Sequence, residues 1–153
     1  MDGIGFSGQF EATLDAKGRM IVPASFRDSF NGAAQITIAP DGCVYMYRKE
    51  DFEKFARNLD SVPDLTDPKL RIAKRYMFSK SMPVDIDKQG RMLFPKKAKE
   101  YAHIERDIIL VGMYSKVEIW DAETYNKREA ELENMDISEM FATLSSLSQV
   151  NSQ

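Results

Sequence analysis

Apolar positions along this chain follow two periods. Phe52, Phe55, Ala56 and Leu59 stand at i, i+3, i+4 and i+7, one face of a helix. Ile137, Met140, Phe141, Leu144 and Leu147 mark a final amphipathic helix, opened by Asp136-Ile137-Ser138-Glu139 in the form of a capping box. Elsewhere the apolar residues come in short runs, Ile36-Thr37-Ile38-Ala39, Val44-Tyr45-Met46-Tyr47, Ile108-Ile109-Leu110-Val111 and Val117-Glu118-Ile119-Trp120, which read as strands. Turn and cap residues punctuate these segments. Asp67-Pro68 starts a helix running toward Phe78, and Asp121 caps another through about Met135. Asp41-Gly42 separates Gln35 to Ala39 from Cys43 to Tyr47 as a hairpin turn, with a less distinct counterpart at Tyr114-Ser115-Lys116. Pro23 and Pro95 sit where a helix would begin, since proline is tolerated at the first helical position, and the segments after them, Ala24 to Phe30 and Lys96 to His103, are short helix candidates. The Ser/Gln/Asn tail is expected to fray.

These elements repeat. Asp15-Ala16-Lys17-Gly18-Arg19-Met20-Ile21-Val22-Pro23 matches Asp87-Lys88-Gln89-Gly90-Arg91-Met92-Leu93-Phe94-Pro95 with Asp, Gly, Arg, Met and Pro identical. The same offset lays Ile36 to Ala39 over Ile108 to Val111. One inserted residue then brings Val44 onto Val117 and Phe52 onto Tyr125. Each copy reads as strand, tight turn, strand, short helix, strand, turn, strand, longer helix. The boundaries expected are a first repeat with its helix over 1–60, a linker and connecting helix over 61–79, a second repeat over 80–130, and a C-terminal helix and tail over 131–153. About four short strands with one apolar face are marginal alone, so the two copies are expected to combine into one α+β, barrel-like, pseudo-twofold unit.

Length and composition narrow the class. The chain has 153 residues, 43% hydrophobic and 29% charged, which fits one compact domain and excludes disordered or collagen-like chains. One cysteine, Cys43, and one histidine, His103, cannot supply a closed Cys/His zinc site or an intrachain disulfide. No run approaches the roughly 20 apolar residues of a membrane span, and Met1 to Phe6 lacks the basic and apolar regions of a signal peptide. A cytosolic protein is the expectation. The net charge of -3 hides a dipole: eleven Lys/Arg against four Asp/Glu between Lys69 and Arg106 give +7, while Val117 to Gln153 carries -6. A phosphate-attracting face is compatible with an acidic total, because counterion release depends on local Lys/Arg.

The repeated D-x-x-G-R turn admits two readings that can hold together. Structurally, Asp15 and Asp87 can bond local backbone N–H groups, Gly18 and Gly90 permit a positive φ, and each Arg can pair with the Asp four residues before it. Functionally, Arg19 and Arg91, with Lys17 and Lys88 beside them, form two similar cationic tips, and a planar guanidinium can take two phosphate oxygens or guanine O6 and N7. Other tempting residues carry less. His103 aligns with Asn31 and reads as a helix-end histidine, Cys43 as a small core residue, and Trp120, Tyr47, Phe52 and Tyr125 as packing residues. Glu118 with Asp121, or Asp85 with Asp87, are alternating carboxylates too common to suggest hydrolysis or metal binding. No catalytic residue and no cofactor is assigned.

Phe6-Ser7-Gly8-Gln9-Phe10, Leu14 to Arg19 with Pro23, Asp87 to Arg91, Glu100-Tyr101-Ala102, Val111-Gly112 and Glu118-Ile119-Trp120-Asp121, in that order, resemble the MraZ family of bacterial transcriptional regulators over about residues 6 to 130. The resemblance implies tandem SpoVT/AbrB-type swapped-hairpin repeats forming a double-split β-barrel with flanking helices. It also implies closed homo-oligomeric rings, association with the nucleoid, and binding to double-stranded promoter DNA at short repeats upstream of the division and cell-wall gene cluster. The family's motif carries over to Asp15, Arg19, Asp87 and Arg91, with Lys17 and Lys88 inside it and Arg19 and Arg91 contacting DNA. Two departures stand out. Lys80-Ser81-Met82-Pro83 replaces a small, Ala-rich opening, where Pro83 predicts an edge strand or bulge, and Lys96-Lys97-Ala98-Lys99 is more basic than the usual helix.

The leading expectation is thus a sequence-specific DNA-binding regulator in which a ring displays several weak Arg/Lys tips at the spacing of repeated boxes. The alternative is a ring-forming protein-interaction scaffold without specific DNA recognition, motivated by the acidic C-terminal helices. An enzyme of nucleic-acid metabolism is the weakest reading, since Arg/Lys turns without a nucleophile, metal cluster or phosphate loop give it no chemistry.

Overall fold

A computed structural model of the chain describes residues 5–151. It divides into two compact units, one through Ala122 and one from Glu123 onward. The first unit holds, in order, β1 (Gln9–Thr13), β2 (Arg19–Ile21), α1 (Ala24–Phe30), β3 (Ala33–Ile38), β4 (Val44–Tyr47), α2 (Lys49–Ser61), α3 (Pro68–Ser79), β5 (Met82–Asp85), β6 (Arg91–Leu93), α4 (Lys96–Tyr101), β7 (Asp107–Gly112) and β8 (Lys116–Asp121). The series from β1 to β4 recurs from β5 to β8, as the sequence repeat requires.

The repeats are built through each other. Six strands form one antiparallel sheet in the order β1-β7-β8-β4-β3-β5, which reads the same after the two repeats are exchanged. The first strand of each repeat pairs with the third strand of the other, Phe10 opposite Leu110 and Val84 opposite Ala34. The remaining strands, β2 and β6, make a separate two-stranded ribbon centred on the pair Met20 and Met92. Single hydrogen bonds repeat the symmetry: Val22 N donates to Gly90 O at 2.8 Å, and Phe94 N to Gly18 O at 2.9 Å. Neither half alone can satisfy its backbone polar groups.

Several expectations are corrected. A barrel-like closure is not what the pairing gives, because the sheet is open and its edges are β1 and β5. Pro23 and Pro95 occupy the residue before the helix, with ψ of 140° and 137°, and not the first helical position. Their extended ψ follows the strand that precedes them. α4 stops at Tyr101, since His103 has φ 55°, a left-handed helix exit that Asn31 (φ 51°) makes in the other repeat. Pro83 does lie on an edge strand, and Asp67 accepts the Lys69 amide at 2.9 Å as the cap of α3.

The core lies between the sheet, the ribbon and the short helices. Met20, Ile36, Met46, Met92, Leu110 and Ile119 are wholly buried, each contributing about 1.5–3 kcal/mol by burial. The two repeats fill this space differently. Phe6 meets Phe26 edge-on at 5.3 Å and stacks on Phe30 at 4.9 Å, whereas the equivalents of Phe26 and Phe30 by the repeat offset are the buried alanines Ala98 and Ala102. Cys43 and Trp120 are buried, and Tyr47 stacks on Phe55 at 5.1 Å.

The second unit is helical, holding α5 (Ala122–Leu132) from its second residue onward and α6 (Ile137–Asn151). The Asp136 carboxylate caps α6, accepting the amides of Ser138 at 3.1 Å and Glu139 at 3.4 Å. The apolar stripe of α6 is exposed, Phe141 and Leu144 each at 64%. The last two residues of the expected fraying tail, Ser152 and Gln153, lie outside the described residues.

Candidate nucleic-acid interface

The two D-x-x-G-R turns are near-copies in atomic detail. Asp15 Oδ1 accepts the backbone amides of Lys17 and Arg19, both at 2.9 Å, and its Oδ2 accepts Arg19 Nε at 2.9 Å. Asp87 repeats this with Gln89 N at 2.9 Å, Arg91 N at 2.8 Å and Arg91 Nε at 2.7 Å. The chain reverses at Gly18 and Gly90, whose φ values of 78° and 83° explain the glycine. Both carboxyls are held below the ordinary aspartate value of 3.8, first by the hydrogen bond from the Arg amide, against the opposing pull of desolvation. The structural reading of the motif is therefore realised in full.

That reading leaves each arginine available. Only Nε is committed to the carboxylate, and the side chains of Arg19 and Arg91 remain 31% and 40% exposed. The register pairs Arg19 with Leu93 and Ile21 with Arg91. Paired and alternate residues share a face of a ribbon, so both arginines project from the side opposite Met20 and Met92. Diagonal positions of this kind lie about 7–8 Å apart. The result is two guanidinium groups on one exposed surface, each oriented by its own aspartate, suited to phosphate oxygens or guanine edges.

The lysines are less symmetric than their counts suggest. Lys17 sits at the third position of its turn and donates its amide to Asp15, while Lys88 stands at the second position, where the first copy has Ala16. Gln89 replaces Lys17, and its Oε1 accepts Arg91 Nη2 at 3.5 Å. Both lysines are exposed. The exposed Lys96 and Lys97 of α4 line a shallow cleft with Leu93 and Pro95, next to the ribbon.

Sequence reasoning missed three residues at this surface. Arg27 of α1 packs its guanidinium directly against Gly90 and donates to Val22 O at 3.1 Å. The Lys99 aligned with it makes no such contact with Gly18, where an added Cβ would meet only Leu93 at 3.9 Å. Ile21 and Leu93 are large aliphatic side chains exposed at 57% and 64%. Strand alternation around the buried Met20 and Met92 is the signal that finds them.

Fold and site together define a class: an α+β protein of two interleaved repeats that displays a pair of Asp-held arginines on a β-ribbon. The family model described as "MraZ protein, putative antitoxin-like" matches the chain twice, over residues 6–75 and 77–147. Curated relatives named Transcriptional regulator MraZ are similar over most of its length. The protein from Clostridium botulinum Eklund 17B is 41% identical, covering 84% of this chain and 90% of its own. That from Lachnoclostridium phytofermentans is 36% identical (86% and 90%), and that from Thermomicrobium roseum 37% (91% and 99%). The chain belongs to the MraZ family. The relatives are named as transcriptional regulators and the family model as an antitoxin-like protein, and neither name describes an enzyme.

Proposed function

We propose that this chain is a sequence-specific DNA-binding transcriptional regulator that reads repeated promoter boxes through its two D-x-x-G-R turns. The single observation that carries the reading is the register of β2 on β6, which sets Arg19 and Arg91 on one exposed face while Asp15 and Asp87 fix their orientation. A two-stranded ribbon fits the major groove, which is about 12 Å wide. Arg19 and Arg91, with Lys17 and Lys88, are the DNA contacts. Asp15, Gly18, Asp87 and Gly90 shape the turns that carry them. Family membership supports targets upstream of the division and cell-wall genes, action at the nucleoid in the cytoplasm, and a closed homo-oligomeric ring.

One ribbon per chain supplies few phosphate contacts, so a ring of copies would gain selectivity through avidity across several boxes. Titration of the chain against its own upstream DNA and a shuffled duplex at two salt concentrations tests this. Selective, salt-dependent binding is expected; equal binding to both duplexes contradicts it. The exposed apolar stripe of α6 favours a second reading, a ring-forming interaction scaffold. Absence of DNA binding with stable capture of a protein partner would move that reading to first place.

A further inference from the structure

The four exposed positions of the β2/β6 ribbon form a rectangle: Arg19 opposite Leu93, and Arg91 opposite Ile21. The arginines occupy one diagonal and the aliphatic residues the other. Met20 and Met92 fill the core side of the same strands with no exposure at all, whereas Ile21 and Leu93 lie on the outer face, Ile21 lining a shallow cleft with Phe10 and Pro23 and Leu93 one with Met82 and Pro95. Single exposed aliphatic residues are ordinary. Two at equivalent repeat positions, on one face, each directly across a strand pair from an oriented guanidinium, are a patterned surface.

Ribbons that enter the major groove meet two kinds of base edge that suit this pattern. Guanine offers O6 and N7 to arginine, and thymine offers only one acceptor and a C5-methyl group, an apolar target. Opposed residues in an antiparallel pair have Cβ atoms about 4.5–5.5 Å apart, and bases stack about 3.4 Å apart along a strand. That spacing is compatible with an aliphatic side chain meeting the base next to the one its neighbouring arginine contacts. A purely phosphate-binding ribbon would gain nothing from isoleucine or leucine here, and a lysine would serve it better.

We infer that Ile21 and Leu93 are sequence-reading contacts that pack on thymine C5-methyl groups, each acting beside the arginine of the opposite repeat. The inference rests on the DNA-binding reading above and adds the base feature that the apolar residues recognise. It assigns the two repeats mixed duties: Arg19 works with Leu93, and Arg91 with Ile21. Each reading unit thus draws one side chain from each half of the chain.

The test removes the methyl group and nothing else. Full-length protein is titrated against a duplex of its own upstream DNA and against the same duplex with uracil in place of every thymine. An Ile21→Ala plus Leu93→Ala variant is measured beside it, with circular dichroism confirming that these exposed substitutions leave the fold intact. For the unsubstituted protein, affinity should fall about fourfold for each thymine methyl group that the aliphatic side chains cover. The variant should bind the thymine duplex more weakly and show little further loss with uracil. Selective binding by the unsubstituted protein that ignores uracil overturns this inference and leaves the DNA reading standing, as does a variant that stays fully sensitive to uracil. Absence of selective binding to either duplex overturns both.

Discussion

Asp15 holds Arg19 at two points of the same residue, its Oδ1 accepting the backbone amide and its Oδ2 accepting Nε, each at 2.9 Å. The turn and the orientation of the guanidinium are thereby one structural feature. The two contributions separate by substitution. Asp15→Asn retains an oxygen for the amides of Lys17 and Arg19 but removes the charged partner of Nε, whereas Asp15→Ala removes both. Thermal melts should rank the alanine variant below the asparagine variant and both below the unsubstituted protein. Equal losses would show that the ion pair, and not the amide bonds, shapes the turn.

Interleaving of the repeats predicts that neither folds alone. A fragment of residues 1–66 leaves β1 without β7 and β2 without β6, since those partners lie in the second repeat. It should show little near-ultraviolet circular dichroism and unprotected amides. Mixing it with residues 67–153 should restore both signals. A cooperatively folded isolated half would contradict the pairing.

Much of this was legible in the sequence, and what was not has a physical cause. The repeat, the turn chemistry of Asp15-to-Arg19, the span of α1 and the cap at Asp67 rest on local signals. Local signals do not say which strand pairs with which, so β1 on β7 and the open edges of the sheet were beyond them. Proline at 23 and 95 marked a helix start correctly but one residue too far in, because its fixed φ suits both the cap and the first turn. Arg27 was invisible at the site, since its contact with Gly90 is made across the interleaved repeats. Ile21 and Leu93 are hidden in the sequence because an apolar residue in a short strand reads as core.

The two motif glycines should differ in their tolerance of a side chain. Gly18→Ala makes only an ordinary van der Waals contact with Leu93 and incurs mainly the positive-φ strain, about 1 kcal/mol. Gly90→Ala incurs the same strain and drives its methyl into the Arg27 guanidinium, displacing the bond to Val22 O. Urea titration should find it less stable than Gly18→Ala by about a further 1 kcal/mol. Equal midpoints would mean that Arg27 swings away freely.

Acid and alkali should act on different parts of the chain. Asp15 and Asp87 titrate below 3.8 in the folded protein, so their stabilising effect is complete above that value and is lost as pH falls through the lowered ones. At the other extreme, burial pushes the Tyr45 phenol from 10.0 up to about 12 and raises Tyr47 as well. Stability from Tyr45 is present below pH 10 and declines between 10 and about 12. Carboxyl-carbon NMR and phenolate absorbance read the two ends. An Asp15 or Asp87 carboxyl titrating at or above 3.8, or Tyr45 ionising near 10, would contradict the respective geometry.

Arg19 and Arg91 are proposed to form one DNA-reading surface. Its most direct test is a titration of the upstream duplex with Arg19→Ala, Arg91→Ala and the double variant beside the unsubstituted protein, across a salt series. Each single variant should weaken selective binding, the double variant should lose it, and the salt slope should become shallower where a phosphate contact is removed. Selective binding by the double variant at undiminished affinity would contradict that proposal.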